Sequence, residues 1–339
     1  MHNIIKYFEN KDLKIIKEIG RGGYGSVYLV EYKNCIRAAK LFREKYIYET
    51  KYSLEFKGQN IININLIIKG ENQNNSDYKL VIMEYAKLND LHQWIIDLYK
   101  NNKLKLIVSP PFEGEVSDNL VRYFSYEIIK GLESLDRKDY CHFDIKPNNI
   151  LICKHLIPKI TDFSLLRNSD MIKINESDVK IPGGTDGYLT PEYYGQETVS
   201  KDVAKKQDYF ALGVTLFNFK FGYMMIPGKR YKHDKITSNY IIDLIQRSID
   251  YVKSQKLSDE DFINFIISLI NYNPEERPQF EEIYRNKWLN KNLDSILKCY
   301  RINFLDEEKL FMELNKSDFL IHKKKQLDKN KKRKKFIFE

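Results

Sequence analysis

Leu13-Lys14-Ile15-Ile16-Lys17-Glu18-Ile19 partly alternates between apolar and polar positions, the period of a half-buried strand. Glycines interrupt the pattern at Gly20, Gly22, Gly23 and Gly25. Val27–Val30 and Cys35–Lys40 resume it with a short turn between, so residues 13–42 read as strand-rich. Residues 43–57 contain no Gly or Pro and read as a helix. Tyr78–Met83 reads as another strand. From about residue 88 the period turns helical, most clearly over 117–136, 208–226, 240–255 and 259–271. The polar stretch 71–77 and the stretch 101–114, with Pro110, Pro111 and Gly114, read as loops. There is no internal repeat. A small strand-rich half therefore precedes a larger helical half, an α+β arrangement.

The 339 residues are 42% apolar and 13% aromatic, enough for a sizeable core and too apolar for a disordered chain. Lys and Arg number 56 against 47 acids, a formal charge of +9. That excess invites an anionic partner until the charges are located. Residues 323–339 hold nine Lys/Arg against Asp328 and Glu339, so this stretch alone carries +7 and the rest of the chain only +2. The run from His322 to Lys335 has no interleaved aromatic on which bases could stack. A solvated tail, a nuclear address and a phosphate-binding arm all fit it. The protein is thus expected in the cytoplasm or the nucleus, with nucleic acid reached only through 323–335. The four cysteines form no C-x-x-C pair, which favours reduced, mostly buried thiols over a zinc site. Tyr209–Ile226 is almost wholly apolar but is broken by Asn218 and Lys220. A helix buried in a large core explains it better than a membrane span.

Three stretches carry chemistry. Gly20-Arg21-Gly22-Gly23-Tyr24-Gly25-Ser26-Val27 has the form G-x-G-x-x-G-x-V. Alone it fits a hairpin turn or a dinucleotide fingerprint, but the latter needs a helix after the glycines. Here strands flank them, which favours a flap over a nucleotide. Lys40 ends the next strand, where a phosphate-contacting role gains weight. The strongest signal is His142-Phe143-Asp144-Ile145-Lys146-Pro147-Asn148-Asn149. It offers a carboxylate to take a hydroxyl proton, an ammonium for phosphate charge and an amide oxygen for a hard cation. Asp162-Phe163-Ser164 follows, and a carboxylate there can hold Mg²⁺ beside Asn149, since Mg²⁺ prefers oxygen donors.

In this order, these motifs resemble the eukaryotic protein kinases of Ser/Thr type, with Phe143 for the usual Arg and Asp-Phe-Ser for Asp-Phe-Gly. The likeness spans about residues 12–292. It also covers Gly184–Leu189, Thr190-Pro191-Glu192, Asp208–Gly213 and Asn273–Pro278. The resemblance implies a bilobal fold, with an antiparallel N-terminal lobe over about 12–86 and a mainly helical lobe over about 87–292. Residues 293–322 would be a helical extension and 323–339 a basic tail. It implies ATP and Mg²⁺ as cofactors, a protein substrate and no membrane. Gly20, Gly22, Gly25, Val27 and Ala38 would cradle ATP, with Met83, Glu84 and Ala86 at the hinge. Lys40 would bind the α- and β-phosphates, Asp144 orient the acceptor hydroxyl, Lys146 neutralise the γ-phosphate, and Asn149 with Asp162 hold the metal. Lys146 with Thr185 marks the Ser/Thr type. Glu192 and Arg277 would form a structural ion pair.

Three departures matter. Phe143 removes a cation beside Asp144 that would bind a phosphate on the activation loop, which implies activity without phosphorylation at Ser169 or Ser177. Ser164 replaces a flexible Gly, so altered loop switching is expected. The acidic partner of Lys40 is Glu49 when Gly58–Ile62 is aligned with the family, but Glu44 and Glu55 compete. At about 100° per residue only one of the three can face Lys40. These departures keep a rival open, a pseudokinase acting as a nucleotide-binding scaffold.

Overall fold

The computed structural model describes residues 13–22, 25–43, 56, 58, 60–70, 78–101, 118–168, 172–175, 178–196, 198–226, 237–256 and 259–303. Strands β1 (Leu13–Gly22), β2 (Gly25–Tyr32), β3 (Cys35–Arg43), β4 (Ile64–Gly70) and β5 (Tyr78–Glu84) form one antiparallel sheet in the order β1-β2-β3-β5-β4. Lys40 lies opposite Val27 on one side and Val81 on the other. Gly22 pairs with Gly25 across the β1–β2 turn. Gly25 has φ 156°, and a Cβ there would sit 2.0 Å from the Leu41 carbonyl oxygen, so the position admits only glycine. The period-2 pattern sends Tyr28, Val30, Ala39 and Ile82 to one face of the sheet. Ala38, Phe42, Val81 and Met83 face the other way and join the core of the helical half.

The helical half follows in chain order. Helices α1 (Leu91–Asn101) and α2 (Asp118–Asp136) precede the short strands β6 (Tyr140–Cys141), β7 (Ile150–Ile152), β8 (Pro158–Ile160), β9 (Arg167–Asn168) and β10 (Asp178–Val179). Then come α3 (Pro191–Gly195), β11 (Val199–Ser200), α4 (Lys201–Lys205) and α5 (Gln207–Phe221). The chain continues through α6 (Ser238–Ser254), α7 (Glu260–Leu269), α8 (Phe280–Arg285), α9 (Lys287–Asn290) and α10 (Leu293–Asn303). Every residue of α5 is buried. This is the apolar run noted in the sequence, and no helix among the described residues is long and apolar enough to cross a membrane.

The helix stops five residues earlier than its apolar pattern suggests. Gly222 takes φ 74° and its N–H closes on the Asn218 carbonyl, a left-handed helix end. Met225 and Ile226 stay buried beyond it, so the apolar run reports burial and not helix length.

Among the described residues, two strips of chain link the halves. One is the segment leaving β5. The other is residues 60–62, which dock on the helical half. Asn60 Nδ2 donates to the fully buried Glu127 Oε2 of α2 at 2.6 Å. The Ile62 N–H donates to Ile160 O, and the Ile160 N–H donates to Asn60 O, each at 2.9 Å. Helix α10 covers the start of the expected extension. Of the helix read over 43–57, Arg43 instead ends strand β3 and Phe56 is buried, while residues 44–55 with Glu44, Glu49 and Glu55 lie outside the described residues, as do the loop serines 169 and 177 and the basic tail.

Candidate active site

A cavity of about 740 Å³ lies between the halves, within the usual range for a small-molecule site. The sheet contributes Gly20, Val27, Ala38 and Lys40, the connection contributes Met83, Glu84 and Ala86, and the helical half contributes Asn149, Leu151 and Asp162. Lys40 Nζ donates to Asp162 Oδ1 at 2.7 Å. Burial pushes the Asp162 carboxyl up, but the Lys40 charge and hydrogen bond outweigh it and leave it below the ordinary range.

Burial of the next side chain helps fix this geometry. Asp162 takes a left-handed backbone, φ 65°, and Phe163 is buried. Its ring meets His142 edge-on with centroids 5.6 Å apart and stacks on Phe56 at 6.3 Å. With Phe163 packed among rings, Asp162 is free to line the cavity.

The candidate catalytic residues Asp144, Lys146 and Asn149 sit on the loop between β6 and β7. Asp144 Oδ1 accepts from the Thr185 hydroxyl at 2.6 Å. Its Oδ2 accepts from Lys146 Nζ at 2.7 Å and Asn149 Nδ2 at 2.9 Å. Lys146 Nζ also reaches Thr185 Oγ1 at 2.5 Å. The Asn149 amide nitrogen further donates to Asp144 O at 2.7 Å. That commits its nitrogen to the loop and leaves the oxygen as the atom suited to a hard cation.

Two buried groups hold the loop from behind. Asp208 on α5 accepts the N–H of His142 at 2.6 Å and of Phe143 at 2.8 Å. Burial raises the Asp208 carboxyl, while the His142 ring and both N–H bonds pull it back. The His142 ring lies 2.9 Å from the Thr161 carbonyl through Nε2 and takes the Asp144 N–H at Nδ1. A carbonyl can only accept, so the proton is on Nε2.

The protein kinase domain family matches residues 13–289 of this chain. The chain belongs to the protein kinase family. Human serine/threonine-protein kinase MRCK beta is 26% identical over 217 residues, covering 62% of this chain and 12% of that protein. Aurora kinase of Saccharomyces cerevisiae is 27% identical over 290 residues, 83% of this chain and 70% of that one. Serine/threonine-protein kinase SAPK2 of Oryza sativa subsp. indica is 25% identical over 311 residues, 89% and 81% of the two chains. The chain thus spans a small fraction of MRCK beta and most of the other two.

In this member of the family the sequence-named residues Gly20, Val27, Ala38, Lys40, Met83, Glu84, Ala86, Asn149 and Asp162 come together around one cavity. Asp144 and Lys146 join them through Asn149. Gly22 and Gly25 pair with each other and are not among the residues lining the cavity. The Glu84 side chain is held by Lys159 Nζ at 2.6 Å and the Asn63 N–H at 2.7 Å, and its own N–H donates to Asn63 O at 3.0 Å. Glu192 and Arg277 form a buried two-pronged pair at 2.5 and 2.8 Å.

The cavity also includes Leu151, Asp90 and Asn148, which the motif reading passed over. Leu151 was visible only as part of the apolar run after Asn149. Asp90 accepts the Gln93 N–H at 2.7 Å at the start of α1, and its signal was an acid just before a helical pattern. Burial raises the Asp90 carboxyl above the ordinary range.

Phe143 is 1% exposed and has a left-handed backbone, φ 63°, a costly conformation for a bulky residue. The two Asp208 bonds hold it there. Its ring belongs to an apolar cluster with Cys141, Val179, Ile181, Val199, Val203 and Ala204, bordered by Leu165 and Ile172. The cluster joins the catalytic loop to the activation segment. β10 of that segment pairs with β11, and its Lys180 N–H donates to Ile172 O at 2.9 Å.

Proposed function

We propose that this chain transfers the γ-phosphate of Mg·ATP to Ser/Thr hydroxyls of protein substrates. The observation that carries the reading is Asp144. Its carboxylate is aimed by Thr185, Lys146 and Asn149, and Asn149 lines the same cavity as the Lys40–Asp162 pair. Phosphoryl transfer needs positioning and charge stabilisation more than covalent chemistry. Asp144 orients the acceptor hydroxyl and takes its proton. Lys146 offsets charge on the transferred group, and Lys40 on the remaining phosphates. Asn149 and Asp162 present hard oxygens suited to Mg²⁺, which would neutralise phosphate charge there. The kinase domain would span 12–292, with 293–322 as an extension and 323–339 as a tail.

The test is ³²P transfer to a generic basic protein by wild type and Asp144→Asn. Transfer by wild type alone supports the reading, and equal signal from both rejects Asp144-dependent catalysis. Nucleotide binding without transfer by wild type would make the chain a nucleotide-binding scaffold instead.

The activation segment needs no phosphate in this reading, because the Phe143 cluster supplies an apolar anchor where a cation is missing. The basic stretch 323–335 supports residence in the cytoplasm or nucleus. Imaging the chain with and without 323–339 separates the two.

A further inference from the structure

Helix α5 opens with two polar residues, Gln207 and Asp208, that reach different loops. Asp208 holds the catalytic loop by the N–H groups of His142 and Phe143. Gln207 reaches the segment on the far side of Asp144. Its Nε2 donates to the Tyr188 carbonyl at 3.0 Å, and its Oε1 accepts the Thr190 N–H at 3.2 Å. Gln207 is 1% exposed, and Tyr188, Leu189 and Thr190 are buried with it. The carboxamide gives one donor and one acceptor to the same strip of backbone, which an ionised carboxylate, an acceptor only, cannot do.

The segment it holds matters because of where it starts. Thr185 donates to Asp144, so residues 185–190 flank the place where an acceptor hydroxyl must sit. The far end is fixed by the buried Glu192–Arg277 pair. Between these anchors Gln207 ties down both Tyr188 and Thr190. Without it, a buried carbonyl and a buried N–H lose their partners, a loss the backbone relieves by moving. Thr190 Oγ1 is already buried with no hydrogen-bond partner among the described residues, so it is placed near by but holds nothing.

We propose that Gln207 is a positioning residue for the protein substrate. It sets residues 185–190 in register with the catalytic loop, which the neighbouring Asp208 holds from the same helical turn. The proposal rests on the phosphotransfer reading above.

The test is steady-state kinetics of the full chain with Mg·ATP and a Ser-containing peptide selected from a degenerate library. Gln207→Ala should raise the peptide KM about tenfold, the cost of unpairing buried polar groups, while the KM for ATP moves less than about twofold. Gln207→Glu keeps the acceptor for the Thr190 N–H but turns a carboxylate on the Tyr188 carbonyl. Its peptide KM should approach that of wild type as pH is lowered, because a protonated carboxyl can donate again. A purely structural role would instead lower the active fraction and melting temperature with both KM values and their pH dependence unchanged, and that result overturns the proposal. Wild type that binds nucleotide but phosphorylates no peptide overturns the functional reading and this inference together. Wild-type turnover with an unchanged peptide KM in Gln207→Ala overturns this inference alone.

Discussion

Phe143 and Asp144 are chain neighbours with opposite surroundings. Asp144 meets a hydroxyl, an ammonium and an amide. Phe143 belongs to an apolar cluster with Val179, Ile181, Val199 and Val203. One flank of the loop is built for charge in transit, and the other for permanent attachment. Ion pairs suit the first because they can be exchanged for phosphates at little net cost. Apolar burial suits the second because it depends on no modifying enzyme and on no counterion. In the proposed function, the contrast accounts for an Asp144 that works without a cation at position 143.

The sharpest way to break the comparison is on the charged side. Asp144→Asn keeps the shape but weakens acceptance from Lys146 and removes the proton acceptor. Phosphate transfer should fall by about 10³-fold, the scale of a lost general base, with nucleotide binding retained in a titration. Activity within tenfold of wild type would remove Asp144 from the mechanism.

On the apolar side, Phe143→Ala should cost about 3–5 kcal/mol in a denaturant titration, because the ring is wholly buried and would leave a cavity. Phe143→Leu should cost much less. A loss under ~1 kcal/mol for the Ala variant would mean that the cluster does not anchor the segment.

Acid should separate the two flanks. The Asp162 carboxyl is held below its ordinary value, so its pairing with Lys40 stabilises the fold fully above about pH 3.9, the unfolded value. That contribution is lost as pH falls through the lower, folded value. Stability curves of wild type and Asp162→Asn should therefore converge on acidification, whereas the Phe143→Ala difference should keep its size. Parallel curves for Asp162→Asn would show that the pair contributes nothing.

The smallest effect is expected from the Ser169→Ala/Ser177→Ala double variant. Its activity should stay within about twofold of wild type, since the anchor is carbon and not phosphate. A large loss that phosphomimetic substitutions restore would reverse the comparison.

Much of the charged flank was legible in the sequence, and little of the apolar one. Asp144, Lys146 and Asn149 declare themselves because their spacing is dictated by chemistry within one short loop. The sheet was legible for a similar reason, its alternation being local. Phe143 could be seen to depart from its family, but its partners come from residues 165–204, and no local pattern pairs them. Gln207 carried no reading in the sequence, and its two bonds exist only once α5 and residues 188–190 are packed. The end of α5 was misplaced because Met225 and Ile226 are apolar for the core's sake, beyond the turn at Gly222.

The docking of residues 60–62 has a mechanical consequence. Among the described residues the sheet half is joined to the helical half by the strip after β5 and by the Asn60–Glu127–Ile160 junction, besides the Lys40–Asp162 pair across the cavity. Neither Asn60 nor Glu127 lines the cavity, so Asn60→Ala should loosen the roof over Lys40 from a distance, raising the KM for ATP while every residue around the nucleotide site stays in place.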